Sequence, residues 1–141
     1  MNDFTKSSEL KSKIMSLGNR LAAKGRNRSS AFIQAWAIVR AGGLVLAVKG
    51  ITFGNRQEAL RRLATYNPSQ VRTWLVPEPE NKQDPEAIAV MVGVQNGRGL
   101  YRLGYIPSDM TMVISALRGQ LPALRVVSGL NIYGARLALA V

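Results

Sequence analysis

The sequence contains no cysteine and no histidine. The lack of cysteine excludes a disulfide framework, a thiolate zinc site and a cysteine nucleophile. The lack of histidine removes the commonest general base, the commonest zinc ligand and any serine–histidine triad. We therefore expect a protein that is not an enzyme, with no catalytic residue, no cofactor and no metal ion.

Negative charge is also scarce. The chain of 141 residues has 8 acidic residues against 19 lysines and arginines, which gives a net charge of +11. This excess of positive charge is typical of a protein whose partner is a polyanion, most simply a nucleic acid. Hydrophobic residues still make up 47% of the chain, which is enough for a folded core.

Long apolar runs are missing as well. No stretch of the sequence is long enough to span a bilayer. The polar N-terminus does not have the charged, apolar and small-residue regions that make up a signal peptide. We expect a cytoplasmic protein with no membrane partner.

Residues 1–43 predict an αα-hairpin that forms a domain of its own. Apolar residues recur at helical spacing over residues 7–25 and again from about residue 30 to Arg40. On the second helix, Trp36 falls on the apolar stripe and is predicted to lie in the core of the hairpin. A short connection between the helices is typical of antiparallel neighbours.

The connection between these helices, KGRNR, is strongly basic. It contains Lys24, Arg26 and Arg28 within five residues. Cations this close together repel one another unless an anion compensates them. We therefore predict that these three side chains contact the phosphate backbone of a nucleic acid.

Residues 44–141 predict a second, mainly β domain. Asn55 lies three residues before Glu58, which is the spacing of a capping box and predicts a short helix. Ser108 predicts the cap of another short helix. Many short strands with helices only as connectors indicate a small closed or nearly closed barrel. The predicted strands cover residues 44–53, 71–77, 87–94, 100–106, 123–129 and 135–141.

Half of the acidic residues lie in one loop, PEPENKQDPEAIAV, at residues 77–90. Four carboxylates could bind magnesium or calcium through oxygen, although their spacing does not match an EF-hand. Alternatively, Asn81, Asp84 and Pro85 build the corner before a core strand, because Asn and Asp bond nearby backbone N–H groups and Pro sets φ. The sequence leaves both interpretations open.

This loop also carries a resemblance to a known family. The segment LVPEPENKQDPEAIAV, followed by LGYIP, resembles the HIRAN domain, and the preceding KGITFGNRQEALRRL is similar to the opening strand and helix of bacterial members. The resemblance covers about residues 45–141 and implies a mainly β, α+β domain with six strands in a barrel similar to OB and SH3 barrels. The N-terminal hairpin is similar to a helical module that precedes such domains in phage and mobile-element proteins.

The resemblance implies a module that binds DNA. In members attached to fork-remodelling ATPases, this domain holds the 3′ end of single-stranded DNA. By their places in the motif, the binding residues that the resemblance implies here are Thr52, Phe53, Gln83, Asp84 and Tyr105.

Two of these positions depart from the pattern of the end-binding members. Thr52 stands where those members have an arginine, and Gln83 stands where they have a tyrosine. One phosphate contact and one stacking surface are thereby missing. Arg56, a few residues further along the chain, could supply the missing cation.

The hypothesis for Asp84 concerns the end of a nucleotide chain. An ionised Asp only accepts hydrogen bonds, so it repels phosphate but can accept a bond from a terminal sugar hydroxyl. Phe53 and Tyr105 would stack the last bases, a contact that is worth about 1–3 kcal/mol per base.

We therefore expect a non-catalytic module that binds single-stranded DNA or DNA 3′ ends, in DNA repair, replication or mobile-element biology, with an ATPase or helicase acting in trans. Two other classes stay open. The first is a protein-interaction adaptor, because small barrels also bind peptides. The second is a hydrolase that depends on a carboxylate-bound metal ion.

Overall fold

A computed structural model describes residues 3–97, 99–117, 122–129 and 132–140, with side chains from Lys6 onward. The fold is α+β, as predicted, and the described residues contain six strands and four α-helices. None of the described helices is long and apolar enough to cross a bilayer. In chain order the elements are α1 (Asp3–Ala23), α2 (Arg28–Arg40), β1 (Gly43–Ala47), α3 (Arg56–Leu63), β2 (Val71–Pro77), β3 (Ile88–Val94), β4 (Tyr101–Tyr105), α4 (Thr111–Ala116), β5 (Pro122–Ser128) and β6 (Tyr133–Ala140).

The described residues form two compact units. One unit contains α1, α2 and most of α4, and the other contains α3 and nearly all of the strand residues. The division of the chain into domains at residues 43 and 44 stays a prediction.

In the helical unit, α1 and α2 pack against each other. Leu17 and Leu21 of α1 are buried, and Gly25, with φ of +101°, lies in the connection that follows. Gly18 lowers the helix propensity of α1 by about 1 kcal/mol. Its missing side chain makes room for the ring of Phe32, because a Cβ at Gly18 would lie 2.5 Å from two of the ring carbons.

The prediction that Trp36 lies in the core of the hairpin is wrong. Trp36 is 53% exposed, and the guanidinium of Arg40 lies 5.1 Å from the centroid of its ring. The buried residues of α2 follow helical spacing along one stripe, and Trp36 lies to the side of it. The buried residues of α2 are Ala31, Ala35, Ile38 and Val39.

β2, β3 and β4 form an antiparallel sheet in that order. Side chains on a strand point alternately to the two faces of the sheet. Val90 and Val92 of β3 are buried on one face, whereas Arg72 and Trp74 of β2 are exposed on the other. This sheet therefore has one core face and one outward face.

β1, β6 and β5 form the second sheet, and the segment after β1 connects it to the first. The N–H of Val48 donates to the carbonyl of Ala135 on β6 at 3.0 Å, and Lys49 exchanges two backbone hydrogen bonds with Tyr105 on β4. β2 lies beside β5, but these two strands are not hydrogen-bonded neighbours. Among the described residues the strands thus form two sheets, without the closure of the predicted barrel.

The first predicted strand, residues 44–53, is shorter than expected. β1 ends at Ala47, and Phe53 lies in a turn. Gly50 and Gly54 have φ angles of +77° and +57°. Glycine adopts these conformations without steric cost, and they interrupt an extended strand.

The other predicted strands are confirmed with small shifts at their ends. Residues 71–77 form β2 as predicted, and the strand predicted from residue 87 begins at Ile88. Residue 141, the end of the last predicted strand, lies outside the described part of the chain.

The two predicted helix caps have different outcomes. Asn55 is the N-cap residue of α3 as predicted, but its side chain makes no capping hydrogen bond. The carboxylate of Glu58 pairs with Arg61 at 2.7 Å instead. The predicted cap at Ser108 is wrong, because Ser108 is the first residue of a 3₁₀ turn, Ser108–Met110, that has Pro107 as its N-cap and precedes α4.

We predict that Gly104→Ala destabilises the strand-rich unit. The carbonyl oxygen of Lys49 and Cγ1 of Val48 lie so close to Gly104 that a Cβ would overlap both. Because one of these atoms belongs to the backbone, the strand has to shift, and overpacking of this kind costs about 1–3 kcal/mol. Urea unfolding followed by circular dichroism measures the loss.

Gly134→Ala on β6 is the matched control. A Cβ at Gly134 would lie 3.8 Å or more from its neighbours, which is ordinary van der Waals contact. This variant should be close to wild type in stability. An equal loss of stability in both variants would contradict the close approach at Gly104.

Candidate nucleic-acid interface

An exposed aromatic ring lies in the turn between β1 and α3. The N–H of Phe53 donates to the carbonyl of Gly50 at 3.3 Å, and Phe53 is 75% exposed. Its neighbour Thr52 is also exposed. The turn thus holds a large apolar ring in solvent, where it is available to a partner.

Arg56, the first residue of α3, brings Phe53 and Tyr105 to one place. Its Nη1 donates to the carbonyl of Gly50 at 2.7 Å. The guanidinium carbon lies 5.7 Å from the centroid of the Phe53 ring and 5.9 Å from that of Tyr105. Both distances are within cation–π range. Since a guanidinium is charged at any physiological pH, both rings lie next to a permanent positive charge.

Tyr105 ends β4 in contact with a half-buried carboxylate. Its hydroxyl donates to Oε1 of Glu78 at 2.9 Å, and the other oxygen, Oε2, forms an ion pair with Nη2 of Arg102 at 2.6 Å. The amide Nδ2 of Asn81 also donates to Oε1 at 3.2 Å. The side chain of Glu78 is only 18% exposed, so these three donors compensate a charge that has lost most of its water.

The environment of Tyr105 raises the pKa of its phenol. Burial is the largest cause, because it disfavours the charged phenolate, and the hydrogen bond to Glu78 acts in the same direction. The positive charges of Arg102 and Arg56 oppose this shift. The phenol is therefore held in its neutral, donating form.

A β-bulge places the two partners of Glu78 on β4, Arg102 and Tyr105, on the same face of the sheet. Arg102 and Tyr105 are three residues apart, so on a regular strand they would point to opposite faces. The pairing of β3 with β4 shifts by one residue after Val90, which makes Leu103 the extra residue of a bulge. Leu103 is buried, and the two polar side chains share the outward face.

The acidic loop is a corner built by its own side chains. Oδ1 of Asn81 accepts from the backbone N–H groups of Gln83 and Asp84, at 3.0 and 3.1 Å. Oδ1 of Asp84 accepts from the N–H of Glu86 at 3.0 Å. Gln83 is exposed and Asp84 is half-buried. Of the two interpretations of this loop, the hydrogen bonds match the corner.

The loop does not bring its acids together. Glu80 and Glu86 are exposed, and Glu78 turns towards Tyr105 and Arg102. In the part of the chain that the structure describes, no three acidic side chains converge in a way that would hold a metal ion.

One hydrogen-bonded chain connects three of the predicted pocket residues, Gln83, Asp84 and Tyr105. Asn81 joins Glu78 to the backbone of Gln83 and Asp84, and Glu78 joins the loop to Tyr105. The site therefore has an aromatic and cationic side, formed by Phe53, Arg56 and Tyr105, and an acidic-loop side. A cleft of about 460 Å³ lies along the loop, lined by Pro77, Glu78, Pro79, Glu80, Asn81 and Arg102.

Sequence reasoning missed Glu78 and Arg102 as site residues. The Glu-Pro step that contains Glu78 was part of the recognised motif, and it could have suggested a structural carboxylate. Nothing local identifies Arg102 as its partner, because the pairing depends on the bulge in β4.

The predicted basic connection belongs to the helical unit. Lys24 and Arg28 are exposed and Arg26 is half-buried. The guanidinium of Arg28 lies 5.6 Å from the centroid of the Phe32 ring. Asn27 caps α2 by accepting from the N–H groups of the next two serines, at 3.0 and 3.4 Å. The cap fixes the direction in which the chain enters α2 and leaves two of the three cations in solvent.

An exposed ring beside a permanent cation, in a strongly basic α+β chain, is typical of a small nucleic-acid-binding module. Residues 52–128 match the HIRAN domain, which is more than half of the chain. The chain belongs to the HIRAN domain family, whose members are generally nucleic-acid-binding modules. Searches of curated proteins and of solved structures returned no significant match.

We predict that Tyr105 ionises above the ordinary tyrosine pKa of about 10. Because the folded state holds this proton more tightly than the unfolded state, the stability from this group is complete below pH 10 and falls as the pH rises through the folded pKa. An ultraviolet titration of tyrosinate should lose its latest component in Tyr105→Phe.

Glu78→Gln is the control for the cause of this shift. It keeps an oxygen that accepts from the hydroxyl but removes the negative charge, so the late component should move to lower pH and still lie above the ordinary value, because burial remains. If Tyr105→Phe loses a component that titrates at the ordinary tyrosine pKa and keeps the late one, then the late component does not belong to Tyr105.

Proposed function

We propose that this chain is a non-catalytic module that binds single-stranded DNA, with the 3′ end of the strand between Phe53, Arg56, Tyr105 and Asp84. The observation that carries the proposal is that two aromatic rings lie within 6 Å of one guanidinium, at 5.7 and 5.9 Å. Flat apolar rings and a cation are the two components with which proteins bind single strands, through base stacking and phosphate contact.

The exposure of Phe53 supports a stacking role. Its ring face is open to solvent, whereas Tyr105 is half-buried and its orientation is fixed by Glu78. Stacking of a base on an aromatic ring is worth about 1–3 kcal/mol. Arg56 takes the role of the arginine that Thr52 replaces, because its guanidinium is next to both rings.

The geometry of Asp84 supports recognition of a terminal hydroxyl. Oδ1 accepts from the N–H of Glu86, and the hydrogen bonds of the described residues leave Oδ2 without a donor. A free sugar hydroxyl is such a donor, whereas a phosphate has no proton to offer and carries a repelling charge. Asp84 would therefore accept a 3′-hydroxyl and reject a 3′-phosphate.

The proposal extends to the architecture and setting of the module. The link through Val48 and Lys49 on one side, and the proximity of β2 and β5 on the other, support a family barrel similar to OB and SH3 barrels. A binding module of this kind would supply end recognition to an ATPase or helicase acting in trans, in DNA repair, replication or mobile-element biology.

We predict that the wild-type protein prefers an oligonucleotide with a 3′-hydroxyl over the same oligonucleotide with a 3′-phosphate. A hydrogen bond to a charged group contributes about 1.5–3 kcal/mol, so the preference should be about tenfold to a hundredfold. Fluorescence anisotropy with labelled 5′ ends measures both affinities. Asp84→Asn should remove most of the preference while its amide oxygen still accepts from Glu86.

Glu86→Gln is the matched control for this experiment. It removes one negative charge from the same loop, at an exposed side chain. It should strengthen binding of both oligonucleotides slightly and leave their ratio unchanged. Equal wild-type affinities for the two 3′ ends would exclude Asp84 from end recognition.

We predict that Lys24, Arg26 and Arg28 contact phosphates without reading sequence. Replacing all three with Ala should weaken binding to every oligonucleotide alike. The slope of log affinity against log salt should fall by about 2, since each phosphate contact on a single strand contributes about 0.7. Titrations at several salt concentrations measure the slope.

The matched control removes the same charge from the outer surface of α1, by replacing Lys6, Lys11 and Lys13 with Ala; all three are exposed. This variant should keep the wild-type slope. Binding of the wild type that does not weaken with salt would instead favour a protein-interaction adaptor over a DNA-binding module.

A further inference from the structure

The outward face of the sheet formed by β2, β3 and β4 is open to solvent. Arg72, Trp74 and Val76 alternate along β2 and are all exposed, with Trp74 at 40%. The opposite face is the core, where Val90 and Val92 are buried. An exposed indole in the middle of a strand is not explained by packing of the core.

This face is continuous with the proposed terminal site. Trp74 is opposite Met91, and Met91 is opposite Arg102, so the three side chains form one row across the sheet. The next row ends at Tyr105, which pairs with Ala89. Two strand spacings separate Trp74 from the strand of Tyr105, a distance of about 10 Å.

A glycine on the neighbouring strand leaves space for the Trp74 indole. Gly93 lies on β3, opposite Arg72. A Cβ at Gly93 would lie 3.3 Å from Cζ3 of Trp74 and 3.3 Å from Cδ2 of Leu100. The indole therefore reaches over the neighbouring strand beside a second apolar side chain, and part of its surface faces solvent.

The charge around Trp74 favours an anionic occupant. Arg72 is its neighbour on the same face of β2, and it forms no ion pair within the part of the chain that the structure describes. Arg102 ends the row of Trp74 and pairs with Glu78, so these two charges offset each other and the net positive charge on this face comes from Arg72. Aromatic surface with interspersed arginine is the composition that binds the bases and phosphates of a single strand.

We propose that this outward face is a second base-binding site, in which Trp74 stacks a nucleotide that lies on the 5′ side of the last two and Arg72 contacts the strand's phosphates. This inference rests on the proposed function, because the terminal site supplies the direction of the strand. It adds a length requirement: the ligand is a single strand of several nucleotides, and an isolated end occupies only part of the site.

The two tryptophans of the chain allow a direct test. Trp36→Phe leaves Trp74 as the only source of tryptophan fluorescence, and Trp74→Phe leaves Trp36, which is on α2. Each variant is titrated with a dinucleotide and with an oligonucleotide of about eight nucleotides, within the range of site sizes for small barrels. We expect the longer strand alone to quench Trp74, and neither strand to quench Trp36.

Affinities give the second readout. Trp74→Ala should weaken binding of the longer strand by about fivefold to a hundredfold, which corresponds to the loss of one stacked base. It should leave the dinucleotide and the preference for a 3′-hydroxyl unchanged. Arg72→Gln, at an exposed position that does not affect folding of the core, should lower the salt slope for the longer strand by about 0.7.

The outcomes separate this inference from the proposed function. In one outcome, the wild type binds with a preference for a 3′-hydroxyl while Trp74 is not quenched and Trp74→Ala and Arg72→Gln bind as tightly as the wild type. That result would overturn the second site and leave the terminal site intact. A wild-type protein that binds neither strand would overturn both. If Trp74 is quenched as the protein concentration rises, with or without an oligonucleotide, then the face is a contact between copies of the chain and the inference is overturned.

Discussion

A carboxylate that is mostly removed from water needs partners, and Glu78 has three of them. Its two oxygens receive the hydroxyl of Tyr105, the amide of Asn81 and the guanidinium of Arg102. Removing one partner of a buried charge leaves the rest uncompensated, which costs far more than an exposed ion pair contributes. The loop, the end of β4 and the orientation of the Tyr105 ring are therefore coupled to one another through this single side chain.

The same coupling explains why a very basic chain has an acidic loop. Glu78 compensates Arg102 and holds Tyr105, and one oxygen of Asp84 stabilises the loop through the N–H of Glu86. The less exposed carboxylates of the loop, those of Glu78 and Asp84, therefore form hydrogen bonds within the protein. The positive charge elsewhere remains available to a polyanion, and on the loop the second oxygen of Asp84 and the exposed carboxylates of Glu80 and Glu86 remain as negative groups.

Much of the fold follows from local patterns, whereas the site depends on contacts that no local pattern contains. The strand predicted over residues 71–77 matches β2 at both ends. Residues 44–53 are largely apolar, which predicts one long strand. Gly50, whose φ is positive, interrupts the extended conformation, and β1 ends before it at Ala47. The direction of Arg56 was not predictable, because it is determined by a carbonyl and two rings that fold around it.

The bulge in β4 places side chains of the candidate site on the open face of the sheet. On a regular strand Arg102 and Tyr105 would lie on opposite faces, and Glu78 could reach only one of them. The extra residue, Leu103, turns inward and puts both on the outward face, so the ion pair and the phenol meet at one carboxylate. Because that face also carries Trp74, a single inserted residue makes one continuous surface of side chains that would otherwise be divided between the core and solvent.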